Sequence, residues 1–107
     1  MNYQVQEMEK QALVTIKGEL DMAVGEKLGN LIREVGQRKQ SVILDFHGVT
    51  FVDSSGIGNL FYTTKELLAS GKHVEIVNVQ EDILDILRVL GFVEALGVKV
   101  STCGYER

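Results

Sequence analysis

The stretch VTFVDSSGIGNL, residues 49–60, joins an apolar run to a helical pattern, and its centre reads DSSGIG, residues 53–58. Aspartate and serine are favoured at helix N-termini because their side-chain oxygens accept the unpaired N–H groups of the first turn. Gly56 and Gly58, in contrast, each cost a helix up to ~1 kcal/mol relative to alanine. The combination predicts a helix N-terminus whose backbone something approaches closely.

The rest of the chain alternates between strand and helix patterns. Strand patterns lie at 3–7, 12–18, 41–46, 73–78 and 98–101, and helix patterns lie at 22–38, 54–70 and 83–90. Asp21 is placed to cap the first helix, and Gly71 and Gly91 suit the ends of the second and third. The order ββαβαβαβ predicts an α/β fold with a mainly parallel, mixed sheet of four to five strands, opened by a hairpin and packed with helices.

Two further expectations follow from this order. The continuous apolar run SVILDF, residues 41–46, is typical of a strand that is covered on both faces. In mainly parallel sheets the functional loops lie beyond the carboxyl ends of the strands. The two loops that qualify first are GELD, residues 18–21, and the segment through FVDSSGIG, residues 51–58.

Length and composition narrow the class of protein. A chain of 107 residues with 45% hydrophobic content predicts one domain, residues 1–107. A net charge of −4 without a Lys/Arg cluster argues against nucleic acid or an anionic membrane as a partner. The sequence shows no membrane-spanning run or signal peptide, and Cys103 is its only cysteine, which excludes an internal disulfide. We therefore expect a cytoplasmic protein.

Three kinds of active or ligand-binding site do not fit the serine- and glycine-rich joint. A Gly-x-Ser-x-Gly nucleophile elbow needs a glycine two positions before the serine, and neither Ser54 nor Ser55 has one. The glycines complete neither a dinucleotide fingerprint nor a P-loop, and two distant histidines offer no metal-ligand spacing. We expect no enzyme activity, no cofactor and no metal. The joint is then either a helix cap alone or a site where a serine is phosphorylated, since a helix N-terminus tolerates the added charge.

GELD followed about thirty residues later by FVDSSGIG, with RVLGF near residue 90, closely resembles the anti-sigma factor antagonists of bacteria, the stand-alone STAS domains. The resemblance covers nearly the whole chain. It implies a partner-switching function, in which the unphosphorylated protein binds an anti-sigma factor and so frees a sigma factor. The anti-sigma factor would also be a serine kinase of the GHKL type that switches the antagonist off, and a PP2C-type phosphatase would restore it.

The same resemblance assigns the site. The family's phosphoacceptor, the serine directly after the aspartate of the motif, corresponds to Ser54. The surface presented to the partner corresponds to Asp21, Asp53, Ser55, Gly56, Ile57 and Gly58, although Asp21 also reads as an N-cap alone. STAS domains serve in addition as scaffold subunits of stress-signalling and lipid-transport complexes, and this alternative stays open.

Overall fold

A computed structural model describes residues 2–102, so Cys103 lies outside the described residues. The described chain contains five strands and three helices in the expected order ββαβαβαβ. Their bounds are β1 Asn2–Glu7, β2 Gln11–Leu20, α1 Met22–Arg38, β3 Ser41–Val52, α2 Ser54–Ala69, β4 His73–Val79, α3 Glu81–Leu90 and β5 Lys99–Thr102. The predicted fold class is confirmed.

The strands form one mixed sheet in the order β1-β2-β3-β4-β5. β1 and β2 are the antiparallel hairpin, and every later neighbour pairs in parallel. Because each β-α-β unit moves one strand further in the same direction, right-handed crossovers place all three helices on one face of the sheet.

The burial pattern agrees with this one-sided cover. In β3 the side chains of Val42, Leu44 and Phe46 are fully buried, whereas those of Ile43 and Asp45 on the other face are only half-buried. The expectation that SVILDF is covered on both faces is therefore wrong within residues 2–102. An apolar run can arise when an open sheet face keeps some apolar residues, and β3 is such a case.

Two strands are longer than their sequence patterns indicated. β3 continues from residue 46 to Val52, and β2 continues from residue 18 to Leu20. The carboxyl-terminal ends of these two strands pair with each other in parallel, with Gly18 opposite Val49 and Leu20 opposite Val52. The two predicted loops are consequently reduced to single residues between a strand and a helix.

The helix ends follow the expected chemistry. α3 ends at Leu90 and is followed by Gly91, whose φ of 95° is the left-handed conformation that glycine adopts without strain. The N–H of Phe92 donates to the carbonyl of Leu87 at 3.0 Å, and the N–H of Gly91 donates to that of Arg88 at 3.1 Å. This is a Schellman motif, and the buried Phe92 supplies its apolar contact.

One buried hydroxyl predicts a stabilising substitution. Thr64 of α2 is fully buried, and its Oγ1 has no hydrogen-bond partner among residues 2–102. Thr64→Val replaces this hydroxyl with a methyl group of similar size, so we expect the free energy of unfolding to rise by about 1 kcal/mol. Denaturant unfolding measures the change.

The neighbouring Thr63 is the matched control. It is equally buried, but its Oγ1 donates to the carbonyl of Asn59 at 2.9 Å. Thr63→Val loses this hydrogen bond and should not stabilise the protein. Equal effects of the two substitutions would show that the Thr64 hydroxyl is not the cause.

Candidate functional site

The candidate site is built on two aspartates that occupy equivalent positions. Asp21 is the single residue between β2 and α1, and Asp53 is the single residue between β3 and α2. Oδ1 of Asp21 accepts the N–H of Val24 at 3.0 Å, and Oδ1 of Asp53 accepts the N–H of Gly56 at 2.7 Å. Each aspartate is therefore the N-cap of its helix. The predicted cap at Asp21 is confirmed.

Parallel pairing of β2 with β3 brings these two joints together. The backbone N–H of Asp53 donates to the carbonyl of Leu20 at 3.1 Å, which ties the second joint to the end of β2. The structure thus unites GELD and FVDSSGIG at one edge of the sheet, as expected for the carboxyl ends of neighbouring parallel strands.

Gly56 is packed against its own chain. A Cβ built at this position would lie 2.4 Å from the carbonyl oxygen of Asp21 and 2.5 Å from that of Leu20. A Cβ at Gly25 of α1 would in turn lie 2.5 Å from the carbonyl oxygen of Gly56. Close approach to the backbone does occur here, but the end of β2 and the start of α1 make it. The expectation that a partner approaches Gly56 is corrected accordingly.

The remaining residues of the motif divide into buried and exposed. Ile57 is fully buried in the core, so its expected contact with a partner is corrected to a packing role that fixes α2. Ser54 and Ser55 are exposed, and Asp53 is half-buried. Gly58 is half-buried, and a Cβ there would meet nothing within 4 Å. Ser54, Ser55 and Gly58 are thus accessible to a partner.

The motif-based prediction missed three glycines of α1 that fix how this helix packs on α2. Besides Gly25, a Cβ at Gly29 would lie 2.8 Å from Thr63 Oγ1, and a Cβ at Gly36 would lie 2.8 Å from Leu67 Cδ2. Residues three or four apart, and multiples near this spacing, share one face of a helix. Three glycines that recur on the apolar face of this amphipathic helix are the signal that could have indicated this close packing.

The α1–α2 contact is also joined by an ion pair at the surface. Nη2 of Arg33 lies 2.8 Å from Oε1 of Glu66, and Nε of Arg33 also donates to this carboxylate. The hydrogen bond to Arg33 holds the pKa of Glu66 below its usual range. Because both side chains are exposed, the pair orients the helices more than it stabilises the fold.

Among residues 2–102, the first N–H groups of α2 have no hydrogen-bond partner and are available to an anion. The first turn contains no acidic side chain, and Asp53 satisfies only the N–H of Gly56. The positive end of the helix dipole therefore faces solvent beside Ser54 and Ser55. A phosphate on either hydroxyl would lie where this dipole favours negative charge.

Neither a metal cluster nor a membrane-spanning helix is found in the part of the chain that the structure describes. Between residues 2 and 102, no group of three or more His, Cys, Asp or Glu side chains is placed to hold a metal ion. Over the same residues, no helix combines the length and the apolar character needed to span a bilayer.

The protein is an α/β domain with a mixed sheet that helices cover on one face, and two Asp-capped helix starts lie side by side at the carboxyl ends of its strands. Comparison with known proteins identifies its family. The STAS domain family model matches residues 2–102. The chain belongs to the STAS domain family.

Solved structures of anti-sigma factor antagonists share this fold. An antagonist from Mycobacterium paratuberculosis is 19% identical with a TM-score of 0.78, over 94% of this chain and 84% of that one. The Bacillus cell fate determinant SpoIIAA in its phosphorylated form is 19% identical with a TM-score of 0.73, over 94% of this chain and 91% of its own. Its unphosphorylated form is 20% identical with a TM-score of 0.72, over 92% and 86%.

STAS domains are also found in transporters. Low affinity sulfate transporter 3 of Stylosanthes hamata is 33% identical over 72 residues, which are 67% of this chain and 11% of the transporter. The chain therefore spans only about a tenth of the length of this relative.

Proposed function

We propose that this protein is an anti-sigma factor antagonist whose activity is switched by phosphorylation of Ser54. In its unphosphorylated form it binds an anti-sigma factor and thereby releases a sigma factor. The anti-sigma factor is a serine kinase of the GHKL type, and a PP2C-type phosphatase reverses the modification. The STAS domain itself acts as a cytoplasmic binding module, and it needs no enzyme activity, cofactor, nucleic acid or membrane for this role.

The observation that carries the proposal is the position of Ser54. It is exposed, it is the first residue of α2, and it directly follows the N-cap Asp53. A kinase can reach its hydroxyl without unfolding the domain, and the helix dipole favours the phosphate once it is attached. Ser55 shares the exposure, so the choice of Ser54 rests in addition on the family motif.

The neighbouring residues have distinct roles in this proposal. Ser54, Ser55 and Gly58 present small groups that a partner backbone can approach. Asp53 and Asp21 hold the starts of α2 and α1 through their caps, and Asp21 remains exposed beside them. Gly56 and Ile57 position this surface from inside the fold.

Likeness to SpoIIAA supports a switch that leaves the fold unchanged. The chain resembles the phosphorylated and unphosphorylated forms of that antagonist almost equally, with TM-scores of 0.73 and 0.72. Both forms of that relative therefore share the fold of this chain, which is compatible with a switch that needs no change of fold.

Phosphate incorporation tests the proposal directly. With ATP and an anti-sigma kinase from the same genome, we expect intact-mass measurement to find one phosphate per chain on Ser54. Ser54→Ala should incorporate none and should still bind the anti-sigma factor, because alanine keeps the site small and neutral. Ser54→Asp should bind weakly because it adds a charge.

Ser55→Ala is the matched control, since Ser55 is the adjacent exposed hydroxyl on the same helix turn. It should be phosphorylated like the wild type. Loss of incorporation in Ser55→Ala, with normal incorporation in Ser54→Ala, would move the site to Ser55. Absence of both binding and phosphorylation by every such kinase of the host would contradict the proposed function.

The identity to a sulfate transporter favours a second candidate, a STAS domain that serves a transport or scaffold assembly. Such a domain would bind its assembly without a cycle of kinase and phosphatase. Affinity purification from the native host separates the two candidates, because the first predicts an anti-sigma factor in the eluate and the second predicts transporter or scaffold subunits.

A further inference from the structure

Helix α3 carries an apolar stripe on its outer face, besides the face that it buries. Ile83, Leu84 and Leu87 pack into the core. Ile86 and Val89 lie on a different face and are exposed, and Val89 is 85% accessible. An apolar side chain this exposed is not needed for folding, so the outer stripe is available to contact another molecule.

The stripe faces the Ser54 joint across an open groove. On one side the groove is lined by Ile86, Val89, Leu90 and Asp85 of α3, and on the other by the segment 52–54 at the junction of β3 and α2. Its volume is about 360 Å³, and most of its lining area is apolar. We call it the α3 groove. Ser54 is thus one wall of an apolar depression.

The charges around the α3 groove select among possible occupants. Asp53 and Asp85 line the groove, and Glu81 and Asp82 lie in the first turn of α3, the helix that contains Asp85. A second copy of this chain docked symmetrically would bring two such acidic sets together, and an anionic membrane would repel them. The exposed Arg88 lies on α3 but does not line the groove. A partner with apolar side chains flanked by a basic residue is the complementary occupant.

We propose that the α3 groove receives an apolar segment of the anti-sigma factor that carries a lysine or arginine facing Asp85. This inference rests on the proposed function and adds the chemistry of the partner's contact. When the apolar segment of the anti-sigma factor binds in the groove, it contacts the side of the groove that contains Ser54. The same binding event therefore brings the Ser54 hydroxyl to the kinase. A phosphate on Ser54 stands in the same groove, where an incoming apolar segment would strip its water.

Val89→Asp tests the apolar contact. Because Val89 is almost fully exposed, the variant should fold like the wild type, and its melting curve should coincide with that of the wild type. We expect the affinity of the unphosphorylated variant for the anti-sigma factor to fall at least tenfold. As a substrate of the anti-sigma kinase, the variant should show a lower kcat/KM than the wild type. The kcat at saturating concentrations of the variant should change little.

Asp85→Lys tests the charge. We expect slower association with the anti-sigma factor and a weaker dependence of the association rate on salt. Met8→Asp is the control for both variants, because Met8 is also an exposed apolar residue but lies in the β1–β2 turn, at the opposite end of the strands from Ser54. It should leave binding and phosphorylation unchanged.

The outcomes separate this inference from the proposed function. If wild-type protein binds the anti-sigma factor and is phosphorylated on Ser54, but Val89→Asp binds equally well, the groove inference is wrong and the proposed function stands. If wild-type protein does neither, the proposed function is wrong. If Val89→Asp instead abolishes self-association in sedimentation while partner affinity is unchanged, the occupant is a second copy, which overturns the inference.

Discussion

Gly56→Val is expected to lower the free energy of unfolding by about 3 kcal/mol, the upper part of the range for forcing extra atoms into a packed site. The added Cβ would meet two backbone carbonyls, those of Leu20 and Asp21, at 2.5 and 2.4 Å. A flexible side chain could move aside, but these carbonyls belong to the end of β2 and the start of α1. Relief would require α2 to shift away from the joint. Denaturant unfolding followed by circular dichroism measures the loss.

Gly58→Ala is the matched control because Gly58 lies in the same helix, two residues further on. A Cβ there meets nothing within 4 Å, so the alanine gains helix propensity without a clash. We expect the variant to be more stable by up to ~1 kcal/mol. If Gly56→Val were as stable as the wild type, the close contact at Gly56 would not limit the packing of α2 in solution.

The caps could be predicted from sequence because an N-cap is a local signal. Asp21 and Asp53 each precede a helical pattern, and the side-chain oxygen needs only the N–H groups a few residues ahead. The Schellman end at Gly91 is local in the same way. These features depend on neighbours in the chain, so a short window of sequence contains the information.

The packing role of Gly56 could not be assigned in this way. Its neighbours in space are Leu20, Asp21 and Gly25, all more than thirty residues earlier in the chain. The motif indicated that something approaches Gly56 but not whether it comes from inside or outside the fold. The extension of β3 to Val52 could not be predicted for the same reason, because it depends on pairing with β2, which is distant in the sequence. One-sided cover of the sheet depends on strand order, which no local pattern contains.

Phosphorylation of Ser54 is expected to lower the affinity for the anti-sigma factor at least tenfold, or by about 1.4 kcal/mol or more, while the fold stays the same. Within the domain two terms oppose each other. The N-terminus of α2 favours the anion, and the carboxylate of Asp53, which caps the same helix, repels it. Each term is on the order of 1 kcal/mol at an exposed site screened by water and salt, so stability should barely change.

The interface responds differently because it must remove water from the phosphate. Ser54 lines the apolar α3 groove, so a docked partner would bury a dianion beside side chains that cannot hydrogen-bond to it. Melting temperatures of the two forms should therefore nearly coincide, and amide chemical shifts should differ mainly over residues 50–60. The unmodified wild-type protein under the same buffer conditions serves as the reference. Shifts that spread across the sheet, or a large drop in melting temperature, would mean that phosphorylation acts by changing the conformation of the domain.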